Sequence, residues 1–292
     1  MKLLVCIDDT DNLDSKGTGA IADDLKDLIA GRGFGLCGLT TRHQLLLHDD
    51  IPYTSHNSSM CFDVEVANNC LDELIPMLYE RLKSESAPGS DPGIAVVETG
   101  RLCYPDLLRQ YGLDAKRSIL TKESAYKTAE RTNVYLAETG GDGMGVIGAL
   151  AGAGLRLGGN DGEVKGGLKE FKRNNIYTVE EFLSAGVVRA VSDTAGNELA
   201  AEEKVLVAWK AKPMLIEGRF VLIVKRTDQG IWSTMEKNEM RRFRDRRLWE
   251  SACLHYDPDV PEEQVDAPLH SCLNCRFRRW TGAGFLCVFD KL

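Results

Sequence analysis

The segment Val5-Cys6-Ile7-Asp8-Asp9-Thr10-Asp11 runs an apolar strand straight into three carboxylates and a hydroxyl. Acids this close repel one another unless a cation lies between them, and a divalent metal carrying nucleotide phosphates is a common partner. An acidic turn ahead of a helix is the plainer explanation of the same residues. Gly17-Thr18-Gly19 then opens a helix whose apolar positions Ile21, Leu25, Leu28 and Ile29 recur at helical spacing. The acids therefore precede a small-residue loop and a helix N-terminus, a ready place for phosphate. The pattern predicts a nucleotide–Mg²⁺ site with Asp8, Asp9, Asp11 and Thr18 as the catalytic set and Thr10 and Gly17 beside the nucleotide.

Three other stretches carry reactive or ligating groups. Gly143-Met144-Gly145-Val146-Ile147-Gly148 matches the dinucleotide-binding glycine pattern, with Asp161 and Glu163 near the ribose-binding distance. The stretch Leu157 to Gly167 is polar and glycine-rich, however, where a second parallel strand should return. Gly143, Gly145 and Gly148 are better explained by close helix packing or by phosphate contact from another nucleotide. The loop from Ile51 to Ser59 supplies hydroxyls and one imidazole; Ser58 and His56 are the candidate nucleotide contacts there, His56 also a candidate acid/base. By composition alone that loop is a solvated connection. Near the C-terminus, Cys272-Leu273-Asn274-Cys275 is a CxxC, flanked by Cys253 and Cys287. Four thiolates suit tetrahedral Zn²⁺ as a staple for a tail poor in apolar residues, and the same four could hold an iron–sulfur cluster. Arginine alternates with aromatics in Arg241–Arg247 and Arg276–Trp280, which suits RNA through phosphate pairing and base stacking; salt bridges on a solvated helix face are the alternative.

Positioning these groups requires strands and helices, and the 292 residues suffice for two domains. Residues 1–130 read as mixed α/β, with strands at Lys2–Ile7, Met60–Val66 and Ile94–Val97, helices at Leu71–Leu82 and Thr121–Arg131, and apolar runs at Phe34–Thr40 and Gln44–Leu47. Residues 131–230 read as an α+β domain with few strands: a strand at Asn133–Leu136, helices at Val146–Leu155 and Thr178–Ala185, then Val205–Trp209 and Met214–Lys225, bent at Glu217-Gly218. Residues 231–292, where the arginine runs and four cysteines concentrate, read as a basic, cysteine-bearing, metal-binding tail. With 36 basic and 44 acidic side chains the net charge is −8, so any nucleic acid must meet a local patch. The N-terminus lacks the pattern of a signal peptide, no apolar run reaches the ~20 residues of a membrane helix, and nine scattered cysteines suit a reducing compartment. The expectation is a soluble, cytoplasmic protein without membrane partners.

With these motifs in hand, the chain resembles the archaeal tRNA-isoleucine agmatidine (2-agmatinylcytidine) synthetase family, as a shorter, divergent paralogue. The resemblance rests on Ile7-Asp8-Asp9-Thr10-Asp11, Ile51-Pro52-Tyr53, Asp91-Pro92-Gly93 and Gly145-Val146-Ile147-Gly148-Ala149-Leu150, four motifs in order over the first ~150 residues. It implies a kinase-like N-terminal domain holding ATP and Mg²⁺ on Asp8, Asp9 and Asp11, then a ferredoxin-like domain. It also implies activation of an RNA base by phosphorylation and displacement by an amine, with tRNA as partner. The family's threonine pair after the aspartates reads Ala20-Ile21 here, which leaves Thr18 as the nearby threonine. The competing reading is a non-catalytic, nucleotide-sensing protein that binds nucleic acid through a metal-stapled tail.

Overall fold

The computed structural model describes residues 1–51, 57–67, 70–236, 239–240, 243, 257–261, 275–281 and 284–287. The chain is mixed α/β, its strands mostly antiparallel, and it divides into two compact units, Met1–Lys165 and Gly166–Leu292. Residues 131–165, read above as the start of a second domain, belong to the first unit. Their helix is rich in glycine and alanine and buries almost every residue in that unit's core.

In unit 1 the central strand β1 (Lys2–Asp8) lies between β4 (Ser58–Val66) and β5 (Gly93–Glu98), antiparallel to both. Strand β6 (Tyr135–Glu138) extends the sheet beyond β5; β2 (Gly35–Cys37) and β3 (Thr41–Gln44) share the other edge of β4, and β7 (Glu163–Val164) follows β3. Side chains alternate along β1, so the strand feeds two cores. Leu3, Val5 and Ile7 join Ile21, Leu25 and Ile29 of α1 (Thr18–Gly31) and Leu74, Leu78 and Leu82 of α2 (Leu71–Glu85). Leu4 and Cys6 face the opposite layer, built from α3 (Pro105–Asp114), α4 (Lys122–Thr132) and α5 (Gly145–Gly158).

Helix α5 is the tightest element of that layer. A Cβ at Gly93 or Gly145 would strike the backbone of the other's neighbourhood, one at Gly152 would overlap Ser59 Oγ and Cys6 Sγ, and one at Gly154 the Leu108 carbonyl. Backbone thus meets backbone on both sides of the helix. The glycine fingerprint is a packing pattern, with no returning parallel strand after it: β7 pairs antiparallel with β3.

Unit 2 has the strand order β11-β12-β13-β10-β8, from β11 (Met214–Ile216), β12 (Arg219–Arg226), β13 (Trp232–Thr234), β10 (Lys204–Leu206) and β8 (Ile176–Thr178), with β9 (Ala190–Ser192) also on β12. The expected bend is a two-residue hairpin turn in which Glu217 and Gly218 both take positive φ, 49° and 75°. Helix α6 (Val179–Ser184) starts on a reciprocal capping box between Thr178 and Glu181 and buries Phe182 against Phe171, ring centroids 4.3 Å apart. A two-stranded ribbon, β14 (Arg278–Thr281) with β15 (Gly284–Cys287), closes the described chain. No helix among the described residues is long and apolar enough to cross a membrane.

Candidate functional site

Antiparallel pairing gathers the sequence motifs of unit 1 at one end of its sheet. The C-terminal end of β1 lies beside the N-terminal ends of β4 and β5 and the C-terminal end of β6. Loops 9–17, 45–57, 86–92 and 139–144 therefore all emerge there. Three of the four resemblance motifs meet at this end; of the fourth, Ile51 is described, while Pro52, Tyr53 and the candidate His56 lie outside the described residues.

Asp8 is the last residue of β1 and continues the Leu4–Cys6 alternation, so its carboxylate turns toward α5. It is 8% exposed. Oδ1 accepts from the Asp9 N–H at 2.9 Å, and Oδ2 lies where a Cβ on Gly148 would have to be. Burial, then the neighbouring charges of Asp9 and Asp11, push its pKa up to about 8. Asp9 turns the chain out of the strand with φ 53°, a left-handed conformation that aspartate tolerates better than most residues. Its pKa is raised to about 6 by burial and by the charges of Asp91 and Asp11, although the Asp91 backbone N–H pulls the other way.

Asp11 sits at the opening of α1, where it accepts from Thr18 Oγ1 at 3.0 Å; Gly17 is the N-cap. Thr10, expected to contact a nucleotide, is fully buried and its hydroxyl finds no partner. Ser58, expected in a phosphate loop, is the first residue of β4, and its hydroxyl accepts from Arg42 Nε at 3.0 Å.

Asp91 completes the cluster. Its carboxylate faces Asp9 and accepts from the Asp142 N–H at 2.6 Å, while its carbonyl accepts from Gly145 N at 2.8 Å. Its one available signal was the charged position in Asp91-Pro92-Gly93. Lys122 ties the 139–144 loop down through Glu138 at 2.7 Å and the Asp142 carbonyl at 2.6 Å. Gly143, with φ 67°, leaves room for Glu138 in that loop. The glycine segment thus stands with Asp8 inside one unit.

Among the described residues no basic side chain forms an ion pair with Asp8, Asp9 or Asp11, while nearby Lys16 is taken by Asp24 and Glu85. No group of three or more His, Cys, Asp and Glu side chains among the described residues is arranged to hold a metal unaided. A Mg²⁺ that arrives on phosphates needs only one or two carboxylates and keeps water on its other positions. The all-oxygen donors Asp8 and Asp9, neither of them ion-paired among the described residues, fit that requirement.

A second polar network lies beneath the sheet on the α5 side, and nothing in the sequence announced it. His43 and Asp161, both fully buried, are bonded through Nδ1 and Oδ1 at 2.8 Å although 118 residues apart. Lys116 Nζ reaches Asp161 Oδ2 and the Gln44 carbonyl, each at 2.8 Å. Thr41 Oγ1 lies 2.8 Å from His43 Nε2, and Arg156 links Thr41 to Asp63 at 3.0 and 2.8 Å. Burial, opposed by Asp161, lowers the His43 pKa. The neutral ring therefore donates from Nδ1 to Asp161, and its Nε2 lies against Thr41 Oγ1, which also reaches the Cys61 carbonyl at 3.1 Å. The network braces the base of the 45–57 loop, since Gln44 Nε2 also holds the Asn57 carbonyl at 2.6 Å.

In the tail, Cys275 is buried and Cys287 ends β15, while Cys253 and Cys272 lie outside the described residues. Arg276 pairs with Asp257 at 2.9 Å, and Phe243 is packed in a core cluster. The remaining arginines of the run 241–247 lie outside the described residues.

No protein-family model matches the chain, and no curated protein matches its sequence. Among solved structures it is similar to a tRNA fluorescent labeling enzyme, with 25% identity and a TM-score of 0.46 over 53% of this chain and 36% of that one. It is also similar to the tRNA agmatidine synthetase TiaS, solved in complex with its isoleucine tRNA and ATP (24% identity, TM-score 0.46, 53% and 36% of the two chains). The same synthetase with tRNA, AMPCPP and agmatine gives 24%, a TM-score of 0.45, and 52% and 36% of the chains. The chain thus spans little more than a third of the length of these solved chains.

Proposed function

We propose that unit 1 binds ATP with Mg²⁺ on the Asp8–Asp9–Asp11 loop. In this reading the chain is an ATP-dependent transferase or ligase of the tRNA-modification type, acting on an RNA base or a nucleoside-like acceptor. One observation carries it: Asp8 and Asp9 are crowded with Asp11 and Asp91, have raised pKa values, and meet no cation among the described residues. Such groups gain most when a cation arrives with the ligand. The four ordered motifs that resemble the agmatidine synthetase family support the same reading.

Asp8 and Asp9 would hold the metal, with Asp11 fixed by Thr18 as their neighbour. Bound there, the magnesium-borne triphosphate supplies an activated phosphoryl group. The chain's part is to position and to neutralise charge. Asp8 is locked against α5, and the α1 N-terminus beside Asp11 offers backbone N–H groups to phosphate oxygens. Cys253, Cys272, Cys275 and Cys287 are proposed as ligands of a structural Zn²⁺, which elemental analysis of the purified protein would detect.

The decisive test is calorimetric titration with ATP, with and without Mg²⁺, followed by assay of nucleotide turnover. The expected result is Mg²⁺-dependent binding and turnover that Asp8→Ala abolishes. Binding without turnover in the presence of bulk tRNA and agmatine or other amines would mark a nucleotide sensor instead. Absence of binding would end the reading.

A further inference from the structure

Two segments of unit 2 lie side by side and concentrate positive charge. Leu168 N donates to the Ala211 carbonyl at 2.7 Å, Asn174 N to Val207 at 2.7 Å, Val207 N to Asn175 at 2.9 Å, and Arg173 Nε to the Ala208 carbonyl at 2.9 Å. This lacing brings the exposed side chains of Lys169, Lys172, Arg173 and Lys210 onto one small area. Residues 168–175 and 207–212 contain one acid, Glu170. Among the described residues no ion pair engages any of those four cations, in contrast to Lys16, Lys116, Lys122 and Lys165 of unit 1, all of which are paired.

In a protein of net charge −8, unpaired cations held this close cost electrostatic energy that a polyanion would relieve. The half-buried Trp209 lies among them. Lys210 Nζ and Lys212 Nζ stand 5.5 and 6.0 Å from its ring centroid, and its other contacts anchor it on a core cluster. Arg173 spends Nε on the backbone, and its Nη groups bond to no described residue. A fixed aromatic ring beside such ammonium and guanidinium groups suits a chain that alternates phosphate with flat bases. An acidic polypeptide offers the charge without the stacking partner.

We propose that these paired segments are a docking surface for single-stranded or looped RNA, with phosphates on Lys169, Lys172, Arg173 and Lys210 and a base against Trp209. The surface is built from residues other than those of the arginine runs noted in the sequence, and it is proposed independently of the nucleotide site in unit 1.

The test uses the full chain and a fluorescein-labelled single-stranded oligoribonucleotide, followed by anisotropy across a KCl series. Reversing the four cations (K169E/K172E/R173E/K210E) should weaken binding at low salt at least ~10-fold. It should also make the slope of log K against log[salt] shallower by about 3, from roughly 0.7 per phosphate lost. The fourfold variant also loses the Arg173 Nε bond to the Ala208 carbonyl, so its thermal melt is compared with wild type; the milder K172Q/K210Q variant keeps that bond, should melt as wild type does, and should still lower the slope by about 1. Trp209→Phe should retain most of the affinity and lose the RNA-induced fluorescence quenching. Equal affinity and slope in the variants, or competition by polyglutamate as strong as by RNA of equal charge, would overturn the proposal. ATP binding measured on the same variants should be unchanged, which separates failure here from failure of the nucleotide reading.

Discussion

Asp8→Asn isolates the energetic core of the proposed nucleotide site. The substitution keeps the oxygen that accepts from the Asp9 N–H and the volume that fits against Gly148, and removes only the titration. In the wild type the folded state holds a proton on Asp8 that the unfolded chain releases. Stability is therefore full below the ordinary carboxylate pKa of 3.8, falls as pH rises toward about 8, and levels off beyond. Across that window the wild type should lose about 1.4 kcal/mol per pH unit relative to the variant, about 6 kcal/mol at most in all. That approaches the whole stability of many domains, roughly 5–15 kcal/mol. Urea unfolding of both proteins from about pH 4 to about pH 9, spanning the two limits, should show curves that diverge with the variant the more stable. Adding Mg²⁺ and ATP at the alkaline end should stabilise the wild type, whose carboxylate a cation keeps ionised, and leave the variant unmoved. Parallel pH profiles with equal ligand responses would refute both the burial argument and the metal role of Asp8.

Gly148→Ala drives a methyl group into Asp8 Oδ2; a cost of about 1–3 kcal/mol is expected from thermal melts, together with loss of Mg²⁺-dependent ATP binding by calorimetry. Lys116→Met strips Asp161 of its ammonium and should cost about 3–5 kcal/mol at neutral pH in urea melts. The pH trend should invert as well. Wild-type His43 has a lowered pKa and loses its share of stability as pH falls through the imidazole range, whereas in the variant its protonation replaces the missing cation, so acid should restore stability. Equal slopes with pH in the two proteins would show that His43 does not couple to Asp161.

Local patterns carried much of the fold. The alternation of Met60–Val66, the Leu71–Leu82 stripe, the Thr178 capping signal and the Glu217-Gly218 bend each depend on neighbours within a few residues, and each emerged as β4, α2, α6 and the β11–β12 hairpin. Helix α3 was passed over although Pro105 at its start and Leu108 and Tyr111 on one face announce it. The glycine motif illustrates the limit of pattern alone, since the spacing that cradles a dinucleotide also lets a helix press onto a sheet. The His43–Asp161 pair and the approach of Asp91 to Asp9 were illegible for another reason. Their partners are dozens of residues apart, and only the strand order of unit 1 brings them together.

The bare contact between α5 and the sheet has a dynamic consequence. With no layer of long side chains to rearrange, the helix and β1 can shift only as one rigid piece, and a ligand pulling on Asp8 pulls on both. Amides within α5 and the inner positions of β1 should be the last in unit 1 to take up deuterium, opening only when that unit unfolds as a whole. ATP with Mg²⁺ should slow them together, as a single block, and leave the outer strand β6 exchanging at its own pace.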